Sequence, residues 1–290
     1  IAIKPQEKFF QGWHIPQIFV KSNLEKLKWD LIMYDFQHMS EFQFATEVLG
    51  ISFDGGGTPT NESKLQSNSL TRSMNDPINL KNYTCTVMGV DWRFASKASF
   101  TVVTVLGLRK DNKYEVLFCK KYQCRDRLLE ILPNLIKLFK DYKCSGIGCD
   151  TGCGLTDNSF LKLHLGYERV YPYTYNGVGK IIHYVPDLGE YIVNKTKTLN
   201  LLFVDLNYGK IKFPKKEEMK PFFDDILSVK EDVRSTPYGD KKIYCKTIGT
   251  PDDFLQSLNY SILTIKLLTK DSIFDTIYSE EGVINYDQIK

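Results

Sequence analysis

Order in the hydrophobic pattern begins at Tyr83. Tyr83–Asp91, Phe100–Leu108 and Tyr114–Tyr122 are strand-like runs rich in β-branched and aromatic residues. Asp111-Asn112-Lys113 is a turn between the last two, and connections this short predict an antiparallel meander. Arg125–Tyr142 then carries Leu128, Leu129, Leu132, Leu135, Ile136 and Phe139 at helical spacing, with Pro133 expected to kink it. Gly146–Asp150 reads as a short buried strand, Leu155–Leu165 as a helix and Glu168–Tyr173 as a strand. Strand–helix–strand steps make these later strands parallel to the first. Beyond them the pattern predicts a hairpin arm at Gly179–Val185, helices at Lys197–Tyr208 and Lys216–Lys230, and a short strand at Ile211–Phe213. A hairpin over Arg234–Lys246 and a final helix over Asp252–Thr269, with Leu255, Leu258, Ile262, Ile265 and Leu268 on one face, complete the series.

Residues 1–81 differ. Leu24, Leu27, Leu31 and Tyr34 have helical spacing, and Phe42–Leu49 suits a second short helix. The stretch around Gly55-Gly56-Gly57 is a loop by composition. No Gly-Lys-Ser/Thr follows it, so it is no phosphate-binding loop, and ATP binding through such a loop is not expected of this chain. The division expected is a linker or N-terminal extension over 1–81 and a folded domain over 82–290.

With 290 residues, 42% of them hydrophobic, the chain can bury a substantial core. A net charge of +3 is too weak to attract nucleic acid over the whole surface, so any such affinity must come from a local patch. No apolar run approaches the ~20 residues of a membrane helix. The first residue is Ile1 rather than Met, as expected of a portion of a longer protein, and no signal peptide is recognisable. Seven cysteines, an odd number in mostly apolar settings, read as reduced thiols of a cytosolic protein. Cys149 and Cys153 lack the second ligand pair of a zinc site.

The candidate chemistry lies in acids at element ends. Asp91 closes the first strand, Asp150 closes Gly146–Asp150, and Asp252 and Asp253 open the final helix. Singly, each suits a turn or a helix cap. In the order β-β-β-α-β-α-β, however, the strand ending at Asp91 is central and the strand ending at Asp150 lies beside it. Both acids then leave the same edge of the sheet, and the final helix can bring Asp252 and Asp253 to that edge. This is the ribonuclease H-like arrangement: an α/β mixed sheet of three antiparallel strands followed by parallel strands, flanked by helices. Converging carboxylates repel one another and suit Mg²⁺ or Mn²⁺, the two-ion site of phosphodiester hydrolysis. Asp157 and Asp205 sit on helical segments and read as surface acids, with Asp157 a possible auxiliary ligand. Arg93, Lys97, Lys180, Lys195, Lys197, Lys241 and Lys242 are the candidate DNA contacts near that edge.

Read in order, these segments resemble the nuclease portion of the large terminase subunit of tailed bacteriophages. Gly12-Trp13-His14-Ile15-Pro16-Gln17 and Phe44-Ala45-Thr46-Glu47-Val48-Leu49-Gly50 are similar to its linker region. Gly89-Val90-Asp91-Trp92, Gly148-Cys149-Asp150-Thr151-Gly152 and the run from Asp252-Asp253 to Leu258-Asn259-Tyr260 are similar to its acidic strands and C-terminal helix. Two positions depart: Arg93 stands where many members have a small residue, and Pro251 where His is common. The second leaves open which of Asp252 and Asp253 coordinates. The resemblance implies an endonuclease that cuts concatemeric double-stranded DNA when packaging starts and ends, in the cytoplasm of an infected bacterial host. It also implies an ATPase motor outside this chain and contacts with portal protein and small terminase subunit. The alternatives are a Holliday-junction resolvase or transposase-type nuclease of the same fold, and a non-catalytic DNA-binding or docking module. An actin-like ATP-binding fold would need a second phosphate loop and a longer chain.

Overall fold

The structure is a computed structural model that describes residues 26–38, 44, 48–49, 57–92, 100–123, 127–177, 179–236 and 239–270. The chain divides into two compact units, 1–56 and 57–290. The first contains helix α1 (Lys26–His38), close to the helix expected there, and the expected helix over Phe42–Leu49 lies largely outside the described residues.

The second unit is built on an eight-stranded mixed sheet. Strands β1 (Tyr83–Asp91), β2 (Thr101–Arg109) and β3 (Tyr114–Tyr122) form the predicted meander. Strand β4 (Gly146–Asp150) lies parallel to β1, and β5 (Val170–Tyr175) parallel to β4. Outside β5 a hairpin of β6 (Ile182–Val185) and β7 (Glu190–Val193) adds two strands, and β8 (Ile211–Lys212) adds one beyond β3. The order β6-β7-β5-β4-β1-β2-β3-β8 makes β1 central. This is the ribonuclease H-like sheet. A separate ribbon of β9 (Val229–Thr236) and β10 (Gly239–Lys246) stands apart from it.

Side-chain alternation sends each strand's residues to two layers. Met88, Val90, Ile147 and Cys149 pack with Leu132, Leu135 and Phe139 of α3 (Leu132–Asp141) and Leu161 and Leu165 of α4 (Leu155–Leu165). On the other face Val87, Val102 and Leu106 meet α5 (Lys195–Asn207), α6 (Lys216–Leu227) and α7 (Asp253–Leu268), through residues such as Leu199, Phe203, Met219 and Leu258.

Two expectations are corrected. The helix over Arg125–Tyr142 is a π turn at Arg127–Ile131 followed by α3, with Pro133 in the first α-helical turn, where its missing N–H breaks no helical bond. Leu128 and Leu129 are consequently exposed rather than part of the buried stripe. The helix over Lys216–Lys230 stops at Leu227 because β9 begins at Val229. The expected apolar face of α7 is present, with Leu255, Leu258, Ile262 and Ile265 together in the core and Leu268 against them, and the rest of the helix from Asp253 to Lys266 is buried as well.

The segment from Gly57 to Asn82 is held to the sheet by specific bonds. Helix α2 (Glu62–Ser67) is followed by a bridge from Ser69 to Phe213, and the Arg72 guanidinium donates to Glu115 Oε1 at 3.0 Å and to the Val116 carbonyl at 2.7 Å. Cys85, Cys119, Cys144, Cys149, Cys153 and Cys245 are all free thiols, and no described helix is long and apolar enough to cross a membrane.

Candidate active site

Two glycines set the geometry. Gly89 and Gly148 are register partners on β1 and β4, each two residues before an acid. Strand side chains alternate, so Asp91 and Asp150 point to the same face as the glycines. That face is covered by α7, which rests directly on the bare glycine backbone. A Cβ on Gly89 would lie 1.9 Å from the Ser257 carbonyl oxygen, and one on Gly148 would lie 2.7 Å from that of Tyr260. Ser257 Oγ donates to the Gly89 carbonyl at 2.9 Å and is 2.8 Å from Thr104 Oγ1. The helix runs so that Thr264 lies over Gly146 and Gly148, Tyr260 near Asp150, and its N-terminus at the carboxyl edge. Asp252 and Asp253 are thereby delivered to Asp91 and Asp150.

The electrostatics record this convergence. Burial, and then repulsion from Asp253, Asp150 and Asp252, push the Asp91 carboxyl well above the usual carboxylate range, against the pull of Lys195. Among the described residues no hydrogen-bond donor reaches the Asp91 carboxyl. Asp150 Oδ2 accepts from the Cys153 amide at 3.2 Å, so this acid also closes its turn, while Oδ1 accepts from the Tyr260 hydroxyl at 3.4 Å. Asp253 Oδ2 accepts from the Phe100 amide at 2.7 Å, yet burial raises its pKa to about 6 with Asp252 and Asp225 adding repulsion. Asp252 is the exception. Burial works against its charge, but Lys195, Lys246 and Gln256 outweigh it and hold the carboxyl below its ordinary range. Lys246 Nζ donates to Asp252 Oδ1 at 2.8 Å, Gln256 Nε2 donates to Oδ2 at 2.7 Å, and Lys195 Nζ stands 3.9 Å from Oδ2.

A raised carboxyl pKa means the folded state holds the proton more tightly, so its stability contribution is present at low pH and lost as pH rises. In metal-free protein, Asp253→Asn should melt above wild type once the pH exceeds about 6, and the difference should vanish towards about pH 4. Melting curves across that interval test this; a difference that grows as the pH falls would refute it.

The supporting residues were mostly not foreseen. Asp225, on α6 and fully buried, accepts from Lys121 Nζ at 2.6 Å and from the Phe254 amide at 3.0 Å, so it caps α7 in place of Asp252. Tyr175 stacks on Tyr260 with centroids 5.4 Å apart and donates to Gln256 Oε1 at 2.8 Å. Tyr260 belongs to the acid-pair segment quoted from the sequence, and Gln256 is one helical turn after Asp252. Asp225 and Lys121 carried no sequence signal beyond their charge.

Of the two acids expected on helical segments, Asp157, the candidate auxiliary ligand, pairs with Arg127 at 2.6 Å. Asp205 is buried rather than a surface acid, and pairs with Lys210 at 3.1 Å. Among the basic candidates, Lys195 reaches the carboxylates and Lys180 is exposed. Lys197 donates from its ammonium to the Gly179 carbonyl, and Lys242 pairs with Glu231 at 2.8 Å with little exposure, so both are engaged within the fold. Lys241 lies on β10 opposite Arg234, while Arg93 and Lys97 fall outside the described residues.

A hard divalent cation fits this donor chemistry: four carboxylates, oxygen ligands only, one of them with no donor among the described residues. As they stand, no three His, Cys, Asp or Glu groups among the described residues are close enough together to hold an ion.

No protein-family profile and no curated protein sequence matches the chain. Among solved structures it is similar to the nuclease domain of the g2p large terminase from bacteriophage SPP1 with bound Mn, at 10% identity and a TM-score of 0.42, over 68% of this chain and 97% of that one. It is also similar to the human cytomegalovirus terminase nuclease domain, Mn-soaked and inhibitor-bound, at 13% identity and a TM-score of 0.44, over 71% of this chain and 94% of that one. With the bacteriophage HK97 large terminase the identity is 9% and the TM-score 0.45, over 84% of this chain but 51% of that one.

Proposed function

We propose that this chain is a metal-dependent endodeoxyribonuclease, the nuclease portion of a viral genome-packaging terminase. The observation that carries the reading is the seating of α7 on Gly89 and Gly148, which brings acids from three distant parts of the chain to one sheet edge. Asp91, central among the four, together with Asp150 and Asp253 would hold two Mg²⁺ or Mn²⁺ ions. Bound there, the ions would acidify a water and stabilise the leaving oxygen of a phosphodiester. The chain's own part is to keep these carboxylates poised. Phe100 and Cys153 amides fix one oxygen each of Asp253 and Asp150, and the Tyr260 hydroxyl steadies the second Asp150 oxygen. Lysines at the edge, Lys180 and Lys195 among them, would take backbone phosphates of double-stranded DNA, giving strong salt dependence and little sequence preference. Low sequence preference suits cutting of concatemers at the end of packaging. The motor ATPase, portal protein and small terminase subunit are the partners this reading assigns.

The test is nicking and linearisation of supercoiled plasmid with Mn²⁺, Mg²⁺ or EDTA, for wild type beside Asp150→Ala. Metal-dependent cutting confined to wild type is expected. Failure of both proteins to cut or to bind metal would replace this reading with a docking module.

A further inference from the structure

Beside the carboxylates lies a cleft of ≈ 130 Å³ that the metal chemistry does not use. Its lining sets two ammonium groups, Lys195 at the start of α5 and Lys246 at the end of β10, against apolar Leu199 and Val229. Both lysines face one carboxylate, Asp252, whose side chain is only 11% exposed while theirs are 43% and 50% exposed. Asp91 also faces Lys195, and Asp91 and Asp253 also act on Lys246, so these cations are balanced by the acids beside them. Donors are nevertheless left over. An ammonium has three N–H groups. Lys246 gives one to Asp252, and Lys195, at 3.9 Å, is beyond hydrogen-bonding distance of it. Lys195 Nζ also stands 5.4 Å from the centroid of the Tyr175 ring. The cleft therefore presents ammonium N–H groups that Asp252 does not take, next to the candidate metal-binding acids, and such donors suit the oxygens of a phosphodiester.

We propose that this cleft receives a phosphate group of the DNA backbone next to the one that is cut, and that Asp252 is a positioning residue for Lys195 and Lys246 rather than a metal ligand. This rests on the nuclease reading above. It explains why two adjacent acids differ: Asp253 meets a backbone amide and other carboxylates, whereas Asp252 is spent on side-chain donors.

The experiment is fluorescence anisotropy of a labelled DNA duplex in EDTA over a salt series, using wild type, Lys195→Gln and Lys246→Gln, with Lys140→Gln on α3 at the opposite face as control. Each cleft variant should bind roughly fivefold more weakly, and the slope of log affinity against log salt should shrink by about one. Glutamine at position 246 retains a donor for Asp252, and melting temperatures verify folding. Inorganic phosphate should compete with duplex on wild type. If it binds at the cleft while the duplex slope is unchanged in both variants, the cleft takes free phosphate and the proposal falls. Calorimetry with Mn²⁺ tests the second half: Asp252→Asn should keep the affinity that Asp253→Asn loses, and equal loss in both would overturn it. A protein that cuts plasmid but fails these arms refutes the cleft alone. One that neither binds nor cuts DNA refutes the nuclease reading and the cleft with it.

Discussion

Asp91→Asn is expected to abolish metal-dependent cutting of DNA while raising the melting temperature at neutral pH. The two effects share one cause. Asp91 stands at the end of the central strand, facing Asp150, Asp252 and Asp253, and its charge is opposed by burial and by all three. Removing that charge relieves the repulsion, so the metal-free fold should gain about 1 kcal/mol, seen as a few degrees in melting temperature. The amide keeps the shape and volume of the carboxyl, so packing is unchanged. As a metal ligand it is far poorer. Loss of an outer-sphere partner costs up to roughly 100-fold, so loss of a ligand central to the cluster should exceed that. Asp91→Ala should lose cutting in the same way. Plasmid cutting and calorimetric melting on the same preparations are the measurements. Cutting at the wild-type rate would remove Asp91 from the site, and a lowered melting temperature would show that its charge is compensated within the fold.

The sequence was most legible where local pattern and tertiary role coincide. Tyr83–Asp91, Tyr114–Tyr122, Gly146–Asp150 and Leu155–Leu165 were placed residue for residue: the first three are strand-like runs bounded by turn residues, and the last lies between Gly154 and Gly166, although Leu155 and Leu163 on it are exposed. The π turn before Pro133 was not legible, since its leucines keep helical spacing while the backbone widens. Strand β7 is only Glu190-Tyr191-Ile192-Val193, too short to declare itself without its partners β5 and β6. In the site, the acids were visible because each sits at an element's end. Of the cations, Lys195 was among the basic candidates and Lys246 was not. Lys242 and Lys246 share β10, and pattern alone cannot say that the first is spent on Glu231 while the second reaches Asp252. That depends on where the β9–β10 ribbon ends relative to α7. Likewise Asp225 looks like any helical acid until Lys121 and the Phe254 amide converge on it.

Gly89→Ala should destabilise the fold by about 3 kcal/mol or more, although it adds a single methyl group. Overpacking of a core commonly costs about 1–3 kcal/mol when side chains can shift aside. Here they cannot. The added carbon would lie 1.9 Å from the Ser257 carbonyl oxygen and 2.8 Å from the Ser261 amide nitrogen, both backbone atoms of α7. Relief requires moving the helix, which is buried from Asp253 to Lys266 and anchored to the sheet through Ser257 and Thr104. Lifting it would break the Ser257 bond to the Gly89 carbonyl and part the stack of Tyr173 on Tyr260. It would also carry Asp253 away from Asp91, so any folded fraction should cut DNA poorly. Urea denaturation followed by far-ultraviolet circular dichroism gives the stability, and an unchanged midpoint would mean that α7 does not press on the strand. The reason for glycine in the segment Gly89-Val90-Asp91 is then mechanical. It thins the strand so that a helix can lie on it and set its own acids beside the strand's.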